Sequence, residues 1–377
     1  MSENLNQLHN NHNVYILGAG FSRLRGLPLI EDFMLKMRDA LQYHSQQNRP
    51  KECAAIKAVL EFRLNASAAA YRLQIDLENI EDLFSLASAS PGQLEESIKL
   101  AIAATLDYCL EIAPMPSASF AASPNELQPL SGWTSSPNSF TPGAPNWTVP
   151  AYEFIVRALM GNWQTQSPTT ENTFITFNYD TLMEDSLKAL GVSYSLGFDP
   201  GGKDPKQTDV RLLKLHGSVN WVVAKGSRTK VTVMENYRSV VNAGLVPQII
   251  PPTWKKDSRG AFEAIWGQSI AALADATRVV VLGFSIPPTD LHFKYLLAAG
   301  LRENYSLREI VFVNPDPGMT LVQERCESLF ANRQHNAAKL RFVDMRSESF
   351  VGQGTDSSHV WSISRPVPQS FQYLQYS

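Results

Sequence analysis

Apolar and polar positions follow two different periods along this chain. Near the N-terminus, Val14-Tyr15-Ile16-Leu17 is a short continuous apolar run, followed by Gly18-Ala19-Gly20-Phe21-Ser22. A run apolar on successive residues suits a strand buried on both faces. From Ile30 to about Ser45 the spacing becomes helical, with Phe33, Met34, Met37 and Leu41 as its apolar members. Ala54–Arg72 and Gln93–Ile112 read as further helices. Asp76-Leu77-Glu78-Asn79-Ile80-Glu81-Asp82-Leu83-Phe84 opens another, with its acids near the N-terminal end, where the helix dipole favours them. Residues 114–150 are dense in Pro, Ser, Ala, Thr and Asn, and read as a long loop with little regular structure. Helical spacing resumes over Tyr152–Trp163.

The second half changes character. Short apolar runs stand at 173–177, 212–215, 279–282, 310–313 and 340–343, and helical patterns lie between several of them, at 181–190, 262–276, 290–302 and 320–330. Strands alternating with helices predict an α/β fold: a Rossmann-like parallel sheet with helices on both faces, here carrying a large helical insertion. The expected division is a first strand and its loop at 1–29, the insertion at 30–170, the rest of the sheet domain at 171–346 and a C-terminal tail at 347–377.

Bulk composition narrows the class only a little. The chain has 377 residues, 44% hydrophobic and 18% charged, with a formal net charge of −3. That is ordinary for a globular protein and shows no overall basic footprint, so direct nucleic-acid binding is not indicated. Cys53, Cys109 and Cys326 are isolated, with no C-x-x-C pair to suggest zinc or a disulfide framework. The opening MSENLNQLHNNHN is polar, and no apolar run reaches membrane-spanning length. The expectation is a cytoplasmic protein with no membrane contact and no bound metal.

In parallel sheets, ligands sit at the carboxyl ends of the strands, so the residues after each run matter most. After the first strand, the glycines of Gly18-Ala19-Gly20-Phe21-Ser22 would let the backbone approach a phosphate. Arg23 replaces the third glycine of a G-x-G-x-x-G fingerprint, which disfavours hydride-transfer chemistry. After Phe177 come Asn178 and Asp180, either a pair facing a cleft or a helix cap at Thr181. After Leu215 comes His216, either a base or a structural hydrogen-bonding group. Gly283-Phe284-Ser285 and Asn314 follow the next two strands.

Taken in order, G-A-G-F-S, F-N-Y-D, L-H-G-S, L-G-F-S and V-N resemble the sirtuin family, most closely its branch in bacterial anti-phage systems. Asn79-Ile80-Glu81-Asp82-Leu83, the run His216–Trp221, the run Pro251–Lys255 and the run Ile286–Asp290 fit the same branch, and the resemblance spans roughly residues 13–320. It implies an NAD-binding sheet whose phosphate loop is Gly18, Ala19, Gly20, Phe21 and Ser22. Its nicotinamide pocket would hold Asn178 and Asp180, its catalytic base would be His216, its second nucleotide loop Gly283, Phe284 and Ser285, and its ribose contact Asn314. Two departures point away from peptide deacylation. The four zinc cysteines are missing, and Asp32-Phe33 is displaced and followed by Met34 where the family has Arg.

What the resemblance then implies is hydrolysis of NAD+, as substrate, to nicotinamide and ADP-ribose, with Asn178 and His216 as the catalytic pair. A defence enzyme of this kind implies control by homo-oligomerisation or by a separate ATPase such as a HerA-type translocase. The 114–150 stretch and the tail aromatics Trp361, Phe371, Tyr373 and Tyr376 are candidate surfaces for it. The other readings are a non-catalytic NAD or ADP-ribose sensor and a zinc-free deacylase or ADP-ribosyltransferase.

Overall fold

The structure, a computed structural model, describes residues 12–89, 94–113, 115, 117–121, 134–136, 146–160, 171–198, 208–223, 230–252, 261–286, 291–315, 323–325 and 340–352. The chain opens with β1 (His12–Leu17) and enters a short helix, α1 (Ala19–Ser22), extended by a 3-10 turn at Arg23–Arg25. Four helices follow: α2 (Ile30–Gln46), α3 (Pro50–Leu73), α4 (Ile80–Ala89) and α5 (Glu95–Ile112). Asp32 caps α2 by accepting from the Leu29 N–H at 2.6 Å, and Pro50 occupies the first turn of α3, where its missing N–H costs nothing. These helices pack largely on one another.

Residues 114–150, expected to be a loop with little regular structure, contain three short strands: β2 (Ser117–Ala121), β3 (Thr134–Ser136) and β4 (Asn146–Pro150). They form an antiparallel sheet in the order β2-β4-β3. Strands of three to five residues give too short a period to stand out against so much Pro and Ser.

The chain then returns to the main layer with α6 (Ala151–Leu159), β5 (Glu171–Thr176), α7 (Leu182–Ala189), β6 (Tyr194–Ser195) and β7 (Val210–Lys214). A hairpin of β8 (Trp221–Val223) and β9 (Val231–Val233) leads to the short helix α8 (Tyr237–Asn242). After α9 (Ala261–Asp275) come β10 (Arg278–Leu282), α10 (Leu291–Leu301), β11 (Glu309–Val313), β12 (Leu340–Val343) and α11 (Ser347–Gly352). Of the expected helix at 320–330, only 323–325 fall among the described residues, and the tail aromatics lie outside them.

The main sheet has seven strands in the order β12-β11-β10-β1-β5-β7-β6, and every neighbouring pair is parallel. The expected α/β Rossmann-like sheet is therefore present. Every residue of β1 is buried, as are the last four of β10 and of β11, which is the burial of a sheet covered on both faces. The chain starts at the centre, builds outward through β5, β7 and β6, then crosses to the far side of β1 for β10, β11 and β12. The strand order reverses at β1, which creates a crevice at the carboxyl ends of β1, β5 and β10.

The helical region is fastened to the hairpin side of the sheet. Arg238 of α8 pairs with Glu52 of α3 at 3.0 Å and Glu111 of α5 at 3.1 Å, and also with Asp107. The C-terminal tail begins inside the fold rather than outside it. Phe350 and Val351 of α11 are buried, and α11 packs on α6 and α1. Among the described residues, no helix is long and apolar enough to cross a membrane.

Candidate active site

At the crevice, the first and fourth sequence motifs lock together backbone to backbone. The Gly18 N–H donates to the Leu282 carbonyl at 3.0 Å, and the Gly20 N–H donates to the Gly283 carbonyl at 2.9 Å. Gly283 has φ +62°, and a Cβ there would stand 2.3 Å from the Phe21 nitrogen. A Cβ on Gly18 would stand 2.5 Å from the Gly283 oxygen. The glycines are required by this mutual approach of two loops, whatever ligand lies above them.

The β5 end supplies the polar centre. Asn178 turns its Nδ2 to the Gly18 carbonyl at 2.9 Å and to Ser22 Oγ at 2.9 Å. Both partners can accept, which fixes the orientation of the amide. Ser22 Oγ donates onward to Asp180 Oδ2 at 2.8 Å. Asp180 Oδ1 accepts from the Leu182 N–H at 3.1 Å at the head of α7. The N-cap of α7 is Thr181, with no side-chain cap bond, so Asp180 stands one residue ahead of the cap position and braces the turn while it lines the cleft. Burial pushes its carboxyl up from the ordinary aspartate range, and the Lys214 ammonium and the Ser22 hydrogen bond pull the other way. Tyr152 of α6, wholly buried beside this group, has its phenol pushed well above its ordinary value by burial first and by Asp180 second.

The β7 end supplies His216. Its ring packs edge-on against Phe177 at 5.1 Å and lies roughly parallel to Tyr179 at 6.2 Å. Phe177 stacks on Phe284 at 5.0 Å, so an aromatic floor joins the β5, β7 and β10 ends. Residues 248–250 run alongside the histidine: the Ile250 N–H donates to the His216 carbonyl at 2.9 Å, and Gly217 bridges to Ile249. Gly217 has φ +81°, and a Cβ on it would stand 2.2 Å from the Gln248 oxygen, so only glycine fits this turn.

The three strand ends meet around one cleft of about 1110 Å³, lined among others by Ser22, Phe177, Asn178, Tyr179, Asp180, His216 and Phe284. Of the residues singled out in the sequence, Ala19, Gly20, Ser22, Asn178, Asp180, His216, Gly283, Phe284, Ser285 and Asn314 are in its lining. Gly18 and Phe21 are not. Phe21 is 2% exposed, with its ring edge-on to Tyr152 at 5.2 Å. The chain becomes helical at Ala19, so consecutive side chains diverge by a helical rather than a loop geometry.

Sequence reasoning missed other members of the lining. Asp76, Glu78, Asn79 and Glu81, before and at the start of α4, stand at the cleft, as do Arg325, Arg346, Ser347 and Glu348. The Asn79–Leu83 motif was the available signal for the first set. Ser347 and Glu348 belong to a six-residue helix, too short for periodicity to reveal. Among the described residues, no group of three or more His, Cys, Asp and Glu is placed to hold a metal ion.

Residues 172–338 match a family model described as a SIR2-like domain. The match runs from β5 through β11 and contains Asn178, Asp180, His216, Gly283 and Asn314; β1 and its glycine loop precede it. Curated proteins give no match. Among solved structures, Sir2 in complex with an inhibitor, 2'-O-acetyl-ADP-ribose and a deacetylated p53 peptide is 13% identical, with a TM-score of 0.36, over 94% of this chain and 96% of that one. A Sir2 structure described by the mechanism and regulation of Sir2 enzymes is 13% identical, with a TM-score of 0.38, over 92% of each chain. These distant likenesses carry nothing about the site.

Proposed function

We propose that this cleft binds NAD+ and hydrolyses the bond between nicotinamide and ribose, yielding nicotinamide and ADP-ribose. What supports the reading is the meeting of Asn178, Asp180 and His216 in one cleft at the sheet's switch point, within a stretch that matches a SIR2-like domain. The cleft volume of about 1110 Å³, at the upper end of the ~300–1,000 Å³ of ordinary small-molecule sites, has room for a dinucleotide.

The chemistry balances simply. Water adds its oxygen to the ribose carbon, the bonding pair of the breaking C–N bond goes to the pyridinium nitrogen, nicotinamide leaves neutral, and one proton is released. The carbon passes through a transition state with oxocarbenium character. Asn178, its Nδ2 engaged by Gly18 and Ser22, turns Oδ1 to a ribose hydroxyl or to the attacking water. Asp180 accepts from the carboxamide of nicotinamide and orients it. His216 takes the proton of the water. The glycine loops and Asn314 hold the pyrophosphate and the distal ribose. In this reading the enzyme depletes NAD+ in anti-phage defence, controlled by self-association or by a separate ATPase partner.

The test is nicotinamide release from NAD+ by the purified full chain, alone and with the proteins encoded beside it. Acyl-peptide and protein acceptors are assayed in parallel. His216→Ala is expected to lower turnover by about 10²–10⁴-fold, the usual worth of one catalytic base. Unchanged turnover would remove His216 from the mechanism, and acyl transfer in place of hydrolysis would overturn the reaction class.

A further inference from the structure

A fully buried cation sits directly beneath this site. Lys214 ends β7, in a run otherwise made for a buried strand, and its side chain is buried. Its Nζ donates to Glu184 Oε1 at 2.7 Å, to Ser218 Oγ at 2.7 Å and to the Asp180 backbone carbonyl. Three donors meet three acceptors, so the ammonium is saturated. The partners come from three places: the β5 end, the helix α7 and the turn after His216. The network continues outward. Ser218 Oγ also contacts Asn220 Oδ1 at 2.7 Å, Asn220 Nδ2 donates to the Met234 carbonyl at 3.0 Å, and the Val219 N–H donates to the Tyr179 carbonyl at 2.9 Å.

Stability alone does not explain this arrangement. Replacing a buried ion pair by apolar side chains of similar volume is often neutral or stabilising. An apolar residue could not bond the Asp180 carbonyl and Ser218 at once. Those two groups belong to the loops that carry Asn178 and His216. We propose that Lys214 is a positioning residue. It holds the Asp180 loop and the His216 loop at a fixed separation and supplies the positive charge that Asp180 faces. The proposal rests on the NAD+ reading for its assay.

Further support comes from the surroundings of Asp180. The titratable and charged groups facing it are Lys214 from β7, Glu184 from α7 and Tyr152 from α6, which in turn feels Glu348 from α11; Ser22 of α1 is its neutral partner. Lys214 is the cation of that set, and it works against the burial that pushes the Asp180 carboxyl up.

The experiment compares two variants of the full chain. Glu184→Gln keeps the cation and removes its counter-ion. The double variant Glu184→Gln with Lys214→Met removes both charges of the ion pair, so neither of its partners is left as a lone buried ion. Thermal unfolding of each is recorded first, to compare only folded protein. Relative to Glu184→Gln, the double variant is expected to lose about 10²-fold in kcat, the scale of a misplaced reacting group, with little change in KM. The acidic limb of its pH profile moves to higher pH, because Asp180 then holds its proton more tightly. Equal kcat and equal pH profiles in the two variants would make Lys214 a structural residue only and overturn the proposal. NAD+ binding is measured by calorimetry at the same pH values. A wild type that binds NAD+ without cleaving it overturns the hydrolase reading alone, and the pH dependence of binding in the two variants then decides the role of Lys214. A wild type that does neither overturns both.

Discussion

Gly283→Ala should separate the demands of the two-loop lock from those of backbone conformation. Gly283 has φ +62°, where a side chain costs roughly 1–2 kcal/mol. Its Cβ would also stand 2.3 Å from the Phe21 nitrogen, 2.5 Å from the Gly20 carbonyl carbon and 2.9 Å from the Gly20 Cα. All three atoms are backbone in the opposing loop, so no side chain can swing aside. Overpacking of that kind adds about 1–3 kcal/mol, which brings the total to roughly 2–5 kcal/mol. Gly191 is the internal control. It has φ +68°, and a Cβ there would meet nothing within 4 Å, so Gly191→Ala should cost only the conformational part, about 1–2 kcal/mol. Urea denaturation of the two variants measures the difference. Gly283→Ala should in addition weaken NAD+ binding in calorimetry, because the displaced loop carries Ser22, the partner of Asn178 and Asp180; Gly191→Ala should leave it alone. Equal destabilisation by the two substitutions would refute the close-approach account of the glycine loops.

Ser22→Ala removes the bridge between Asn178 Nδ2 and Asp180 Oδ2 and leaves buried polar atoms unpaired, so urea denaturation should show a loss of about 1–3 kcal/mol; a neutral result would contradict the network. Nicotinamide release by the same variant should fall as well, since both of its partners line the cleft. Cys109 is buried, and burial pushes its thiol up to about 11, so iodoacetamide at about pH 8 should label half-buried Cys53 in the native protein and reach Cys109 only after unfolding. Peptide mass spectrometry reads both sites, and rapid native labelling of Cys109 would be the contrary result.

The central strands were legible because a parallel strand buried on both faces must be apolar on successive residues, as in Val279–Leu282 and Ile310–Val313. Their order was not, because pairing β1 with β10 joins residues more than two hundred and fifty positions apart by hydrogen bonds that leave no local pattern. Strand-end residues were legible as strand-end residues for the same reason. Which side chains reach the cleft depends instead on how the chain leaves each strand. It turns helical at once after Gly18, and Phe21 goes to the core while Ser22 bonds Asp180. Lys214 carried a signal that went unused: a lysine closing a strand whose last three residues are buried needs partners, and the three it finds lie at the site. The small sheet of β2, β3 and β4 and the helix α11 were too short for either period to register.

The geometry also bears on how the proposed work divides between Asp180 and His216, two of the ionisable groups in the cleft lining. Asp180 is held at three points: Oδ1 by the Leu182 N–H, Oδ2 by Ser22 and the backbone carbonyl by Lys214. A carboxylate held in this way keeps one orientation through a reaction cycle, which suits an acceptor that fixes a carboxamide and does not suit a group that must take up and release a proton. Each protonation of Oδ2 would also disturb the Ser22 bond that steadies Asn178. His216 is positioned by ring packing on Phe177 and Tyr179 and by the backbone bond from Ile250. Ring packing of this kind fixes the plane of an imidazole and survives both the gain and the loss of a proton. In the proposed hydrolysis the proton-carrying step would therefore fall to His216, and Asp180 would serve as the fixed point against which the substrate is aligned.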